Sequence, residues 1–408
     1  MGIYDVWHLK ERDENDKRIP SKSYGRGKRW RVSWDDPETG RVRTKAFHKL
    51  DDAKDFNSVV SADIVRGEYI DPDAGKITVE QFSEVWRYGR LHDPNTVNLV
   101  EKSFRNHINP VLGHLPLSGV RASHIQAWVK GRVEFLAPST VHVMYSYIRS
   151  MMRAAVLDRR LASSPCVGIS LPVIPKTDRW LPTPEQVHYI YGQIREPYRA
   201  AIYIAAGCGL RPSEVFGLER SSVDFEKREI KVVQQIKKVK GRLYVGAPKT
   251  ITSVRTVEMP KIVEDALRAH FEKFPSMPIE LEEDNGKKKG IRKFDLVFVT
   301  SNRNPLTSDS WGSRWRAMRE ALGDIPKEFG FHGLRHYYAT LLIHSGASVR
   351  TVQKALGHST PTITLNVYVH DWPEAVERTR ALVDDVLGSS SGAPVRAGGG
   401  EVMVQDAA

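Results

Sequence analysis

Four prolines in one short segment constrain the fold of this chain more than any other feature of the sequence. They lie in SLPVIPKTDRWLPTPEQ, at positions 170–186. Proline lacks a backbone donor and disrupts both helix interiors and central strands, so this segment predicts a linker. A second linker is predicted for GEYIDPDAGK (67–76), which is rich in Gly, Pro and Asp. The two linkers divide the 408 residues into parts of ordinary domain size.

We therefore expect a multidomain fold class with three parts and a tail. Residues 1–75 should form a small module of β-sheet plus helix, and residues 76–172 an all-α domain. Residues 173–387 should form a mixed, mainly α domain with a small antiparallel sheet. Residues 388–408 are mostly small and are expected to be disordered.

The N-terminal module contains a basic hairpin pattern. KRWRVSWDDPETGRVRTKAFHKL predicts antiparallel strands at 29–34 and 41–47, on either side of the turn sequence DPETG. Strand alternation separates an apolar face from a basic face. The basic face either enters a DNA groove, since a β-ribbon fits the major groove, or is simply solvated. Its members are Arg29, Arg31, Arg41, Arg43 and Lys45.

The second part has a helical apolar pattern. Thr78 and Gln81 lie three residues apart in TVEQFSEVW, which is the spacing of a capping box. Apolar positions then recur at helical spacing over 99–108, 124–133 and 139–157. The basic residues expected to be exposed here, and able to contact DNA, include Lys102 and Arg105.

The third part has a mixed pattern. Its helices are expected at 184–195, 198–206 and 212–218, and its strands at 229–235, 242–247 and 255–259. The lysine-rich KKVKG (237–241) predicts a solvated turn, and NGKKKGIRK (285–293) predicts a solvated loop. A core-facing helical stripe is predicted for Trp311, Trp315, Met318 and Leu322.

The composition favours an anionic partner. Lys and Arg number 61 against 49 Asp and Glu, a formal net charge of +12, so nucleic acid is expected before a membrane surface. Two cysteines are too few for a disulfide scaffold or a thiolate metal cluster, and they fit a reducing compartment. The charged N-terminus lacks the apolar core of a secretory signal. We expect a cytoplasmic protein with no membrane association.

Polar groups are concentrated at the start of an otherwise apolar helix in FGFHGLRHYYATLLIHSG (329–346). His332 and Arg335 are three residues apart and share one helix face, while the apolar face anchors the helix. The spacing of His332 and His336 suits zinc, but the permanent charge of Arg335 disfavours a metal ion. A guanidinium beside an imidazole suits a phosphate, which arginine binds through two oxygens.

Two further motifs supply similar groups. Arg211 in AAGCGLRPSEVFGL precedes a helix opened by proline, and helix N-termini favour anions. Glu214 lies three residues on and is placed to hold the Arg211 side chain. In QKALGHSTPTITLNVYVH, His358 follows a predicted helix end, and Tyr368 comes ten residues later.

The order of these motifs resembles the tyrosine recombinase (phage integrase) family. The pattern Arg…Lys…His-x-x-Arg…His…Tyr is present, with GLRPSE, HGLRH and LGHS…Y, across the whole third part. The resemblance implies that Arg211 and Arg335 bind the non-bridging oxygens of a scissile phosphate and that His332 and His358 donate hydrogen bonds to it. Tyr368 would be the nucleophile, forming a 3′-phosphotyrosine and releasing a 5′-hydroxyl.

The resemblance also implies supporting roles. Lys249, in GAPKTITSVRTVEM, matches the family lysine that protonates the leaving oxygen. Glu214 matches the supporting acid, and His336 matches a position behind the site. The rivals of Lys249 are Lys237, Lys238 and Lys240. Tyr337 and Tyr338 are nucleophiles by residue type, but their place on the helix of Arg335 predicts core packing.

The activity implied is that of a site-specific DNA recombinase that integrates or excises a mobile element without a cofactor or metal ion. Residues 1–75 would bind arm-type DNA sites, and the two larger parts would enclose the core site. The partners implied are double-stranded DNA, a homo-tetramer, a DNA-bending host factor and an excisionase, at the nucleoid of a bacterial host cell. A predicted helix at 371–387 either docks on a neighbouring protomer or packs within its own chain.

Two alternative activities stay open. A type IB topoisomerase uses the same residue types but relaxes supercoils without exchanging strands. A catalytically silent DNA-binding regulator would share the fold alone. The arm-like N-terminal module disfavours the first, and the complete set of catalytic residue types disfavours the second.

Overall fold

The computed structural model describes residues 1–37, 39–175, 179–286, 288–323 and 325–368. The predicted tail at 388–408 and the predicted helix at 371–387 lie outside the described residues. The chain forms two compact units, Met1–Lys176 and Thr177–Ala408.

The first unit begins with five short strands and a helix. They are β1 (Gly2–Asp5), β2 (His8–Arg12), β3 (Arg18–Pro20), β4 (Trp30–Asp35), β5 (Val42–Phe47) and α1 (Leu50–Arg66). An antiparallel sheet has the order β1-β4-β5, and β2 pairs with β3 separately. The two strands predicted from the basic pattern are confirmed as β4 and β5. The strands β1 to β3 were missed because each is too short to show a period.

The register of β4 and β5 contradicts a single basic face. Val32 lies opposite Lys45 and Trp34 lies opposite Arg43, and residues directly opposite each other in a sheet share a face. Arg43 and Lys45 therefore lie on the apolar face that packs against α1, where Arg43 is half-buried and Lys45 is exposed. The Lys45 ammonium lies 4.3 Å from the ring centroid of Phe56. The expectation of one continuous basic face is wrong.

The segment 67–76, which was predicted to be a linker, is bound to this sheet by side-chain hydrogen bonds and ion pairs. Trp34 Nε1 donates to the Tyr69 hydroxyl at 2.8 Å. Arg43 Nε donates to Asp36 at 3.2 Å, and the same guanidinium pairs with Asp71. The ionic and aromatic contacts give this segment a defined position, which its Gly, Pro and Asp content did not indicate.

The rest of the first unit is helical, as predicted. Its helices are α2 (Val79–Tyr88), α3 (Pro94–Ser103), α4 (Ala122–Val133) and α5 (Pro138–Leu157), and a π-helical segment, Phe104–Gly113, continues α3. The capping box is confirmed, because Thr78 Oγ1 accepts from the Gln81 amide at 3.2 Å and the Gln81 side chain accepts from the Thr78 amide at 3.1 Å.

The second unit alternates helices and short strands. In chain order they are α6 (Pro184–Gln193), α7 (Ala200–Cys208), α8 (Pro212–Phe216), β6 (Val223–Asp224), β7 (Glu229–Val232), β8 (Gln235–Val239), β9 (Arg242–Gly246), β10 (Arg255–Glu258), α9 (Lys261–Lys273), β11 (Ile279–Asp284), β12 (Lys289–Phe294), α10 (Ser308–Leu322), α11 (Gly333–His344), α12 (Val349–Leu356) and α13 (Pro361–Tyr368). One sheet has the order β10-β7-β6 and another β12-β11-β9-β8.

Two loop predictions in the second unit are wrong in part. The predicted turn at 237–241 is confirmed for Lys240 and Gly241, but Lys237 and Lys238 belong to β8, and Lys289 to Lys293 of the predicted loop belong to β12. Five of the six residues of β12 are exposed, so its composition resembles that of a solvated loop although its backbone pairs with β11. Charged edge strands of this kind prevent sheets from associating. The sheet is also not wholly antiparallel, since β11 pairs with β9 in parallel.

Helices α7 and α11 pack against each other in the core. This packing fixes the position of the polar side chains at the start of α11. Ala201, Ile202, Ile204 and Cys208 of α7 are fully buried. The predicted stripe on α10 is confirmed for Trp311, Trp315 and Met318, which are 3–5% exposed, while the Leu322 side chain lies outside the described part. Among helices of the described ranges, none has the length and apolar character that a membrane crossing requires.

Candidate active site

Arg335 is a deeply buried charged group among the predicted site residues. It is 2% exposed, its Nη1 donates to the Gly209 carbonyl at 2.6 Å, and its Nη2 donates to the Leu356 carbonyl at 2.6 Å. Burial, and then the charge of Arg211, lowers the pKa of Arg335 to about 9, so the guanidinium is still charged at neutral pH. Two carbonyls thus hold a positive charge rigidly at the start of α11.

Gly209 must be glycine to provide the first of these carbonyls. Its φ is +64°, a left-handed conformation that ends α7. A Cβ atom here would lie 2.3 Å from Cδ1 of Tyr338. The Tyr338 ring packs in the space beside Gly209, in agreement with the prediction that Tyr338 is a core residue rather than a nucleophile.

Arg211 lies at the beginning of α8 and reaches the same end of α12 as Arg335. Its Nη2 donates to the Gly357 carbonyl at 3.4 Å, and Gly357 directly follows Leu356. Its Nη1 donates to Glu214 at 2.8 Å, as the sequence predicted for that acid. The two guanidinium groups are therefore brought together by successive carbonyls of one chain segment.

Arg255 is a third arginine of the site, with 6% of its side chain exposed, and the sequence prediction missed it. Its Nη2 donates to Glu214 Oε2 at 3.0 Å, its Nε to the Ala355 carbonyl at 2.9 Å and its Nη1 to the Ser253 carbonyl at 3.0 Å. Burial alone would raise the pKa of Glu214, but the charge of Arg255, followed by that of Arg211, lowers it. Its strand, β10, has the sequence RTVE and so gave no pattern that would single out Arg255.

Tyr368 lies next to the two histidines of α11. Its phenol oxygen is 2.7 Å from Nδ1 of His336, and the ring of His336 lies 4.9 Å from that of His332, edge to face. Tyr368 is only 2% exposed. His336 was expected behind the site, but the structure places it in direct contact with the predicted nucleophile.

The three imidazoles of the site are neutral at pH 7. Burial lowers the pKa of His336 to about 3, and the neighbouring His332 and Arg179 act in the same direction. Burial and then Arg335 lower the pKa of His332 and of His358 to about 4, although His332 retains an exposed edge. His358 is oriented by a hydrogen bond of 2.9 Å between its Nδ1 and Thr364 Oγ1.

Lys249 occupies an exposed loop between β9 and β10. Its neighbour Thr250 contacts Ser253 Oγ at 2.9 Å, and Ser253 in turn accepts from Arg211 Nη1 at 3.4 Å. The Lys249 side chain lines a cavity of about 460 Å³ with Ile251 and other residues of the loop. Its rival Lys238 pairs with Asp309 at 2.6 Å. The loop of Lys249 is thus joined to the arginines, while its ammonium is not in contact with them.

The predicted DNA-binding residues separate into two groups. Arg29 and Arg43 form ion pairs, Arg29 with Asp5 at 2.9 Å. Lys45 lies over the ring of Phe56. Lys45 is nevertheless exposed, as are the remaining four: Arg31, Arg41, Lys102 and Arg105.

The groups of the site suit an anion that lies beside a phenol. Two fixed guanidinium groups and neutral imidazoles suit the oxygens of a phosphate. Among the described residues, no group of three or more His, Cys, Asp or Glu side chains is arranged to hold a metal ion.

Comparison with known proteins gives two family matches in this chain. The model described as "Phage integrase family" matches residues 182–374, and the "Phage integrase, N-terminal SAM-like domain" matches residues 78–131. Together they span more than half of the sequence. The first match contains every residue of the site described above.

Curated proteins similar to the chain carry related names. The integrase of Mycobacterium phage FRAT1 is 28% identical over 295 residues, which cover 72% of this chain and 84% of that integrase. A "Tyrosine recombinase XerC-like" protein of Caldanaerobacter subterraneus subsp. tengcongensis is 27% identical over 394 residues, covering 91% of this chain and 92% of that protein.

Solved structures show the same fold. The Tn1549 transposon integrase in complex with a circular intermediate DNA has a TM-score of 0.65 and 23% identity, covering 76% of this chain and 99% of that one. A lambda integrase dimer bound to a COC′ core site has a TM-score of 0.53 and 16% identity, covering 82% of this chain and 91% of that one.

Proposed function

Because the chain belongs to the phage integrase family of tyrosine recombinases, we propose a role in strand cleavage for each residue of the site. The protein is a tyrosine-type, site-specific DNA recombinase that integrates or excises a mobile element. The substrate of the chemical step is a phosphodiester of double-stranded DNA.

Arg211 and Arg335 bind the two non-bridging oxygens of the scissile phosphate. Phosphoryl transfer develops negative charge on these oxygens, and fixed positive groups stabilise it without reorganisation. His332 and His358, each neutral and each with one N–H, donate further hydrogen bonds. Glu214 and Arg255 do not touch the phosphate; they hold Arg211 in place.

Tyr368 then displaces the 5′ oxygen of the next nucleotide. A bond forms between the phenol oxygen and phosphorus, and the bond from phosphorus to O5′ breaks. The phenol proton passes to a neutral imidazole of the site, and Lys249 supplies a proton to O5′. The products are a 3′-phosphotyrosine and a 5′-hydroxyl, and the reverse reaction rejoins the strand without ATP.

One observation carries this proposal. Arg211 and Arg335 donate to the successive carbonyls of Gly357 and Leu356, and Tyr368 contacts His336, the residue after Arg335. Residues far apart in sequence thus meet at one end of α11. This arrangement supports a shared phosphate site with its nucleophile alongside.

The wider assembly is proposed on the same basis. Residues 1–75 bind arm-type DNA, residues 76–172 and 173–387 bind the core site, and four protomers act together at the nucleoid of a bacterial host cell. The related lambda integrase was solved as a tetramer bound to a Holliday junction. A host factor that bends DNA and an excisionase are expected to set the direction of the reaction.

A nicked suicide substrate tests the function. The full chain should form a covalent adduct with a duplex that carries a nick near the cleavage site, because the short fragment bearing the 5′-hydroxyl diffuses away. Tyr368→Phe should bind the same duplex and form no adduct. An adduct with Tyr368→Phe would exclude this nucleophile, and failure of the wild type to form one would favour a silent regulator. Strand exchange between two duplexes distinguishes recombination from topoisomerase activity.

A further inference from the structure

Arg179 joins the linker between the two units to the segment that carries the nucleophile. It is the first described residue after the gap at 176–178, inside the predicted linker at 170–186. Its Nη1 donates to the Val367 carbonyl at 2.8 Å, a contact between residues 188 positions apart. Its guanidinium carbon lies 5.7 Å from the ring centroid of Tyr368.

The conformation that Arg179 contacts cannot cleave DNA. Tyr368 is 2% exposed, and its ring packs among Ile343, Val352 and Leu356. In-line attack needs the phenol oxygen within about 3–3.5 Å of phosphorus, and a DNA backbone is too large to reach a side chain in this position. The phenol must be uncovered before the chemical step.

Arg179 stabilises this covered conformation from outside the core. Its own side chain is exposed, so it does not fill core volume. A hydrogen bond from a guanidinium to a backbone carbonyl is charge-assisted and therefore favourable. A guanidinium over an aromatic ring adds a second favourable contact. Uncovering Tyr368 breaks both contacts.

We propose that Arg179 is a positioning residue that holds Tyr368 in its covered state, so that the linker between the two units sets the rate at which the nucleophile is released onto DNA. The proposal rests on the function assigned above to Tyr368. The bonds made and broken in the chemical step stay the same, and what Arg179 changes is how often the phenol is available.

Single-turnover adduct formation by the full chain on the nicked duplex, at saturating DNA, tests the proposal. Arg179→Ala should form the adduct about fivefold faster, since about one net hydrogen bond is lost from the covered state. Arg179→Lys retains the charge and a donor and should restore most of the wild-type rate. Arg316→Ala, which removes an exposed arginine of α10, corrects for the loss of one positive charge.

The outcomes separate this proposal from the proposed function. A rate for Arg179→Ala equal to or below that of Arg316→Ala overturns the role of Arg179 while leaving Tyr368 as the nucleophile. A lower melting temperature together with slower adduct formation would assign Arg179 an ordinary structural role, and also overturns the proposal. Absence of an adduct in the wild type would remove the proposed function itself.

Discussion

Glu214 Oε2 and Arg255 Nη2 lie 3.0 Å apart, with 1% of the acid side chain and 6% of the arginine side chain exposed. The other oxygen of the same carboxylate accepts from Arg211. Arg255 also donates to the carbonyls of Ser253 and Ala355. The pair therefore connects β10, α8 and the end of α12, which are the elements that position the first arginine of the phosphate site.

Replacing Arg255 with Ala should destabilise the second unit. The variant leaves the buried Glu214 with only one of its two arginine partners, Arg211, and breaking a buried ion pair costs about 3 kcal/mol. We expect the melting temperature of this unit to fall by roughly 6–12 °C. Arg242→Ala breaks an exposed pair with Glu282 and should lower it far less. Equal losses in the two variants would show that Arg255 is not a structural support.

Stability should decrease as the pH falls from about 6.5, in part because of His336. Its pKa is lowered from 6.5 in the unfolded chain to about 3 in the folded protein. Between these values the unfolded chain binds a proton that the folded protein does not, so the stabilisation is complete above the upper value and is lost toward the lower one. The melting temperature of His336→Gln should depend less steeply on pH between 7 and 5.

The control for this prediction is His344→Gln, which makes the same change at an exposed position of the same helix. A slope for His336→Gln identical to that of the wild type would mean that the His336 imidazole binds a proton equally well in both states.

Gly209→Ala should impair both stability and cleavage. The new Cβ would lie 2.3 Å from the Tyr338 ring at a backbone φ of +64°, and the carbonyl that holds Arg335 would have to shift. The left-handed conformation alone costs an L residue about 1–2 kcal/mol. Gly241→Ala is the control, because Gly241 also has a positive φ, +86°, but has open space where a Cβ would lie. It therefore measures the backbone strain without the clash. We expect adduct formation to fall only in Gly209→Ala.

Arg31 and Arg43 should respond differently to substitution, although both belong to the basic hairpin. Arg31 is exposed, and Arg43 pairs with Asp36 and Asp71. In titrations with a random-sequence duplex, Arg31→Ala should reduce the salt dependence of the affinity by about one phosphate contact. Arg43→Ala should instead lower the melting temperature of the first unit. The opposite pattern would restore the basic face that the register contradicts.

Sequence order predicted the site residues better than it predicted their supports. Arg211, Arg335 and Tyr368 lie in distinctive motifs, and the structure brings them to one end of α11. Arg255 lies in the short strand β10, and its support of the site is recognised only from its contact with Glu214 in the folded protein. The contact between His336 and Tyr368 was likewise hidden, because it joins positions 32 residues apart.

Contacts between positions far apart in sequence also explain the errors in the predicted fold. The capping box at Thr78 was predictable because its hydrogen bonds are local. The strand β1 depends on pairing with β4, far along the chain, and β12 has the composition of a loop. Strand register decides which face a side chain occupies, and that register is set by packing on α1 rather than by the hairpin sequence alone.

The ammonium of Lys249 does not contact the two arginines in the structure, so its proposed role requires the loop to move toward the phosphate. A DNA substrate with a modified leaving group tests this role. Lys249→Ala should slow adduct formation strongly on ordinary DNA, because an alkoxide leaves poorly without a proton. On a duplex with sulfur in place of the bridging O5′, the leaving thiolate needs no proton, since thiols have pKa values of about 8.5. The variant should then react nearly as fast as the wild type. Lys238→Ala, whose ammonium pairs with Asp309, should be insensitive to the sulfur. If sulfur rescued Lys238→Ala and not Lys249→Ala, the general acid would be Lys238.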